Sequence, residues 1–122
     1  MRKILISLVL LTSVLFFGVS AVFAQNDSDI YLTLFYSESC PHCHKELIFL
    51  EKLEDQYPNL HVRRLEISES DNAKIMQEVA SRLNVVIRGV PFTVIGDETI
   101  AGYLNDQTTG AKIKRIIDNH IR

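Results

Sequence analysis

Cys40 and Cys43 are the only cysteines in the 122-residue chain, and they stand three positions apart in Cys40-Pro41-His42-Cys43-His44. Two thiols at that spacing can cycle between dithiol and disulfide, one sulfur attacking a partner and the other closing the ring. A purely structural bridge fits poorly, because closing so short a loop removes little chain entropy compared with a bridge that spans many residues. The same residues admit two other chemistries. Cys-x-x-Cys-His is also the attachment sequence of c-type haem, which asks for a mostly helical chain and a distant axial ligand, with Met76, His61 and His120 as candidates. Cys40, His42, Cys43 and His44 are all soft metal ligands too. The histidines lie too close in sequence to the cysteines for all four to surround one ion easily at a helix start. No metal and no cofactor are expected.

Such a pair needs a scaffold. Residues 30–36 are rich in aromatic and aliphatic side chains and read as a buried strand, broken by Ser37, Glu38 and Ser39. From 41 to about 57, Leu47, Leu50, Leu53 and Tyr57 recur at helical spacing, predicting a helix that begins at the cysteines and stops at Pro58-Asn59. Pro41 suits the first helical position, where its missing N–H is no loss. Cys40 then sits at the helix cap, where free backbone N–H groups and the helix dipole stabilise a thiolate, while Cys43, one turn on, faces inward.

Residues 60–67 read as a second strand, although Arg63 and Arg64 spoil its alternation. Asp71 is expected to cap a second helix running to about Leu83, with Met76, Val79, Ala80 and Leu83 as its apolar stripe. Residues 85–90 lead to Pro91, and 92–95 and 98–101 form a hairpin across Gly96-Asp97. The last helix starts near Thr109, with Ile113, Ile116, Ile117 and Ile121 inward and Lys112, Lys114 and Arg115 solvated. This order predicts an α/β fold in one domain over 30–122, a mixed sheet of about four strands flanked by about three helices. The haem alternative leaves those strand and hairpin signals unexplained.

The N-terminus carries the parts of an export signal: Arg2-Lys3, an apolar run from 4 to about 19, and small residues ending at Ala24, after which cleavage is expected. An uncleaved membrane anchor over the same residues is the alternative. No cysteine directly follows the apolar run, so a lipid anchor is not indicated. Residues 25–29 are polar and read as a flexible segment. The chain has 15 acidic against 13 basic residues, and losing Arg2 and Lys3 with the signal widens the excess. With no basic block left, nucleic acid is excluded as a partner. Export implies an oxidising space such as a periplasm, or the outer side of the cytoplasmic membrane.

At the strand-to-helix junction the sequence resembles the thioredoxin superfamily, and Cys40-Pro41-His42-Cys43 is similar to the active-site sequence of DsbA-type disulfide oxidants. A second anchor is Ile87-Arg88-Gly89-Val90-Pro91, which is similar to the segment carrying the cis-proline of thioredoxins. In size and element order the chain is closer to a glutaredoxin, with Pro-His where glutaredoxins usually have Pro-Tyr. The resemblance implies a thioredoxin-like fold and disulfide exchange with exported proteins, by oxidation or isomerisation. It gives Cys40 as the attacking thiol, Cys43 as the resolving thiol, His42 as stabiliser of the Cys40 thiolate, and Pro41 as the opening of the helix. A cis Pro91 would lie against the cysteines and leave the Val90 backbone free to bond an extended substrate chain. The implied partners are exported protein thiols or disulfides and a redox-recycling protein, which could be membrane-bound; the chain itself is expected to be monomeric.

Departures from the family shape the expectation. Leu34 stands where thioredoxins place a buried Asp that helps deprotonate the second cysteine, so that proton path is missing, and Glu38 is the candidate relay in its place. Ser39 replaces the usual aromatic residue before the motif, and the stretch from Cys43 to Pro91 is too short for the helical insertion of true DsbA proteins. His44, His61 and His120 are read as surface residues.

Overall fold

The computed structural model describes residues 28–122. The export signal or anchor expected over 1–24 lies outside the described residues, as do residues 25–27 of the flexible segment. The elements are β1 (Ile30–Tyr36), α1 (Pro41–Gln56), β2 (Leu60–Glu66), α2 (Ser70–Arg82), β3 (Phe92–Ile95), β4 (Glu98–Ala101) and α3 (Ala111–Ile121). The strands form one mixed sheet in the order β2-β1-β3-β4, with β1 parallel to β2 and antiparallel to β3. This is the α/β architecture expected from the element order. Among the described residues no helix is long and apolar enough to cross a membrane.

Side chains alternate across β1, so the sheet has two apolar faces to cover. Ile30, Leu32 and Leu34 pack with Leu50 and Leu53 of α1 and Ile113, Ile116 and Ile117 of α3. Phe35 points the other way and packs with Leu65, Phe92 and Val94 against Met76 and Ala80 of α2. Each fully buried side chain of this size contributes roughly 1.5–3 kcal/mol relative to exposure, so the two layers together fix the sheet between its helices.

Local chemistry sets the boundaries. Asp71 does not cap α2: Glu69 occupies that position without a side-chain cap bond, and Asp71 lies in the first turn facing Lys74. The entry is held instead by the Asn72 amide, which donates to the Glu66 carbonyl and ties the helix start to the end of β2. At the other end Asn84 takes a positive φ of 54°, Val85 N–H donates to the Ala80 carbonyl and Asn84 N–H to that of Ser81. Both orphan carbonyls are thereby satisfied in a Schellman arrangement.

The two arginines of β2 are tolerated because β2 is an edge strand and α1 ends nearby. Arg63 is exposed, whereas Arg64 lies half-buried with its guanidinium on the Glu54 carboxylate at 2.5 Å. Gly96, with φ of 60°, opens the two-residue turn between β3 and β4, where a side chain would be strained. The last helix is preceded by a π-helical turn, Asp106–Gly110, started by the Asn105 side chain accepting the Thr108 N–H.

Candidate active site

The turn after β1 ends in a hydrogen bond from Cys40 N–H to the Ser37 carbonyl at 3.1 Å, which delivers Cys40 to the cap of α1 in an extended conformation. Its Sγ accepts the Cys43 N–H at 3.2 Å, one of the donors a helix start leaves unpaired. Pro41 follows at the first helical position. Both cysteines are free thiols, Cys40 half-buried and Cys43 fully buried. Burial, reinforced by the hydrogen bond and charge of Cys40, pushes the Cys43 thiol up to about 12, and the Ser37 backbone opposes the shift. The two sulfurs therefore differ in access although they are one turn apart, and burial makes the inner one a poor acid.

The segment before β3 closes over them. The Cys40 thiol donates to the Val90 carbonyl at 3.7 Å, and the Val90–Pro91 peptide is cis. Pro91 is buried, and its carbonyl accepts the Gly102 N–H at 2.8 Å, which ties this loop to the end of β4. His42 faces the same place. Its Nδ1 lies 2.8 Å from the Tyr103 carbonyl. A carbonyl only accepts, so Nδ1 carries the hydrogen. His42, Val90, Pro91, Gly102, Tyr103 and the exposed Leu104 line an open groove of about 320 Å³ beside Cys40.

One group of this site was missed at the level of sequence. Glu46 lies one turn beyond Cys43 on α1 and is fully buried, with Cys43, Leu50 and Leu53 on the same stripe. Its Oε1 accepts the Thr93 hydroxyl, while Oε2 has no hydrogen-bond partner. Burial pushes its carboxyl up to about 7, against the lowering effect of Thr93. Thr93 is paired directly across the sheet with Leu34. Opposed residues of an antiparallel pair project to one face, so Glu46 reaches from the helix to the patch of sheet that Leu34 leaves apolar. The sequence carried the signal: positions 43, 46, 50 and 53 repeat at three and four, the spacing of a single buried stripe.

Of the residues singled out from sequence, Cys40, Pro41, His42, Cys43, Val90 and Pro91 converge. Glu38 does not join them. It is exposed in the turn, where its carbonyl accepts His44 Nε2 at 2.7 Å, and its side chain makes no hydrogen bond to either cysteine. His61 pairs with Asp29 at 3.0 Å, and His120 Nδ1 lies on the Ile116 carbonyl, both away from the groove. Met76 is buried under α2 with Phe35 and Phe92, and the four strands oppose the mostly helical chain that the haem alternative requires. Among the described residues no group of three or more His, Cys, Asp or Glu side chains gathers as a metal site.

The fold is thioredoxin-like, and the cysteine pair at the start of α1 is of the redox type. The chain is similar in structure to a mutant thioredoxin from Halobacterium salinarum, with 26% identity and a TM-score of 0.52 over 75% of this chain and 78% of that one. It is also similar to a periplasmic thioredoxin-like protein from Salmonella enterica serovar Typhimurium, with 19% identity, TM-score 0.53, and coverage of 75% and 86%. The catalytic domain of Proteus mirabilis ScsC matches at 20% identity and TM-score 0.54, covering 75% and 85%. No protein-family model and no curated protein sequence matches the chain.

Proposed function

We propose that this protein is an exported thiol–disulfide oxidoreductase that oxidises or isomerises extracytoplasmic proteins through Cys40 and Cys43. The observation that carries the reading is the asymmetry of the two sulfurs: Cys40 is reachable and accepts a helix N–H, whereas Cys43 is buried behind it and is a poor acid. In the oxidising direction a substrate thiolate attacks Sγ of Cys40, the Cys40–Cys43 bond breaks, and the electron pair goes to Cys43. A second substrate thiolate then attacks the mixed disulfide and Cys40 leaves as thiolate, which the helix N-terminus favours. The enzyme is left as dithiol, and a redox-recycling partner removes the two electrons.

His42, held by the Tyr103 carbonyl, keeps its imidazole at the mouth of the groove, and the Val90 backbone next to Pro91 is the docking strand for an extended substrate. Export is supported by the N-terminal pattern and by the likeness to a periplasmic protein. Recovery of protein beginning at Gln25 from outside the cytoplasmic membrane checks it.

Cys43→Ser is expected to accumulate mixed disulfides between Cys40 and its substrates, visible as thiol-sensitive adducts on gels, while Cys40→Ser forms none. Equal loss of adducts in both variants would reverse or void these roles. The trapped adducts identify the substrates.

A further inference from the structure

The groove beside Cys40 does not end at His42 and Leu104. A second hollow of about 240 Å³, lined by Arg88, Gly89, Val90, Ala101 and Gly102, adjoins it, and the two share Val90, Ala101 and Gly102. Side chains are sparse along the join. Gly89 and Gly102 take φ of 136° and 80°, and nothing lies within 4 Å of where a Cβ would stand at either one. Other residues are strained in that conformation, so the backbone stays bare and a second chain can approach it closely.

The two ends of this trough differ in chemistry. At one end stands Leu104, an apolar side chain that is 61% exposed. At the other stands Arg88, which is exposed and makes no ion pair among the described residues. Arg88 is also the one Lys, Arg, Asp or Glu among the described residues lining either hollow. Glu38 and Asp106 line neither, and Asp106 is engaged by the Tyr103 hydroxyl at 2.8 Å.

We propose that Arg88 selects substrates carrying an acidic side chain on one flank of the reacting cysteine, with an apolar residue on the other flank against Leu104. The inference rests on the redox reading above and adds to it the class of substrate. The Cys40 thiol lies on the Val90 carbonyl, so a chain that brings its own sulfur to Cys40 crosses the trough at Val90. One flank then runs over the Arg88 hollow and the other toward Leu104. Arg88 stands two residues before Val90, at most about 7 Å of chain, so its guanidinium meets substrate residues within about three positions of the cysteine.

A guanidinium presents a fork of donors that matches a carboxylate and repels a lysine. The protein as a whole has 15 acidic against 13 basic residues, so its overall charge does not draw acidic chains in; the attraction is local to this hollow. Because Arg88 is exposed, the selection is a matter of several-fold preference and weakens with salt.

The test uses the full chain with Cys43→Ser and short peptides whose single cysteine carries a thiopyridyl disulfide. The Cys40 thiolate attacks the peptide sulfur, the bond to thiopyridine breaks, and pyridine-2-thione leaves, which gives the rate by absorbance. Each rate is divided by that of the same peptide with 2-mercaptoethanol. The peptides place Asp or Lys on one flank and Leu or Ser on the other, in both orders, and the faster order is read. At low salt the Asp peptide is expected to react about tenfold faster than the Lys peptide. Adding Arg88→Glu is expected to reverse that order, and adding Lys45→Glu, which changes an exposed charge on α1, is expected to keep it. Equal rates for Asp and Lys peptides, an Asp preference that survives Arg88→Glu, or one that reverses in Lys45→Glu overturns this inference alone. Leu104→Ser is expected to lower the rate ratio of Leu to Ser peptides about fivefold, and an unchanged ratio overturns the apolar flank. A Cys40 that forms no adduct with any peptide overturns the redox reading and this inference with it.

Discussion

The two faces of the sheet are built to different rules. Under α2 the core is apolar throughout, with Phe35 stacked on Phe92 at 6.0 Å and Leu65, Met76, Ala80 and Val94 around them. Under α1 and α3 an equally buried layer also takes in Cys43, Glu46 and Thr93. An apolar face gains stability from every side chain it covers, whereas a buried carboxyl with a free oxygen costs stability unless it is protonated or paired. The polar interior is confined to the redox end of one face. That contrast separates the part of the core that holds the fold from the part tied to the site.

The contrast breaks most easily at Phe35. It is fully buried in the apolar cluster under α2, so Phe35→Ala is expected to cost about 3–5 kcal/mol in urea unfolding, while folded molecules still react at Cys40. A loss below about 1 kcal/mol would mean that this face is not the packing face.

Glu46 gives the next largest effect, with the opposite sign above neutral pH. Its folded-state value of about 7 lies above the ordinary 4.5, so the native state binds the proton more tightly than the unfolded chain. The stabilising proton is fully present below about 4.5, and stability falls as pH rises from there through about 7. The shift corresponds to roughly 3 kcal/mol. Glu46→Leu is therefore expected to flatten the dependence of the melting temperature on pH between 5 and 8, and to melt higher than wild type at the alkaline end. An unchanged slope would assign the pH dependence to another group.

His42, at the mouth of the groove, gives the smallest effect. His42→Leu removes the Tyr103 contact and the polar imidazole near Cys40, so the reduced state loses stabilisation and the potential becomes more negative. Each tenfold change in the exchange equilibrium corresponds to about 30 mV, and a shift of that order in glutathione buffers is expected. The wild-type potential is expected to lie above the thioredoxin value of about −270 mV, and a lower one would make the protein a reductant.

Local sequence determined the element order, the helix start at Cys40 and Pro41, and the hairpin at Gly96, because these depend on spacing, caps and turn residues within a few positions. Partners far apart in the chain were decided only by the tertiary structure. Nothing adjacent to Arg64 announces Glu54 as its counter-charge; the packing of α1 beside β2 does. Glu46, flanked by Lys45 and Leu47, reads as an ordinary helix acid, and the loss of an Asp at Leu34 reads as a missing proton path. Folding alters both readings. Pairing Leu34 with Thr93 brings a hydroxyl from the far end of the chain beneath α1, and closure of the helix over the sheet strips water from the carboxyl that this hydroxyl receives. Removal of water is a property of the assembled layers, and it turns a common surface residue into a group that titrates near neutrality beside the buried thiol.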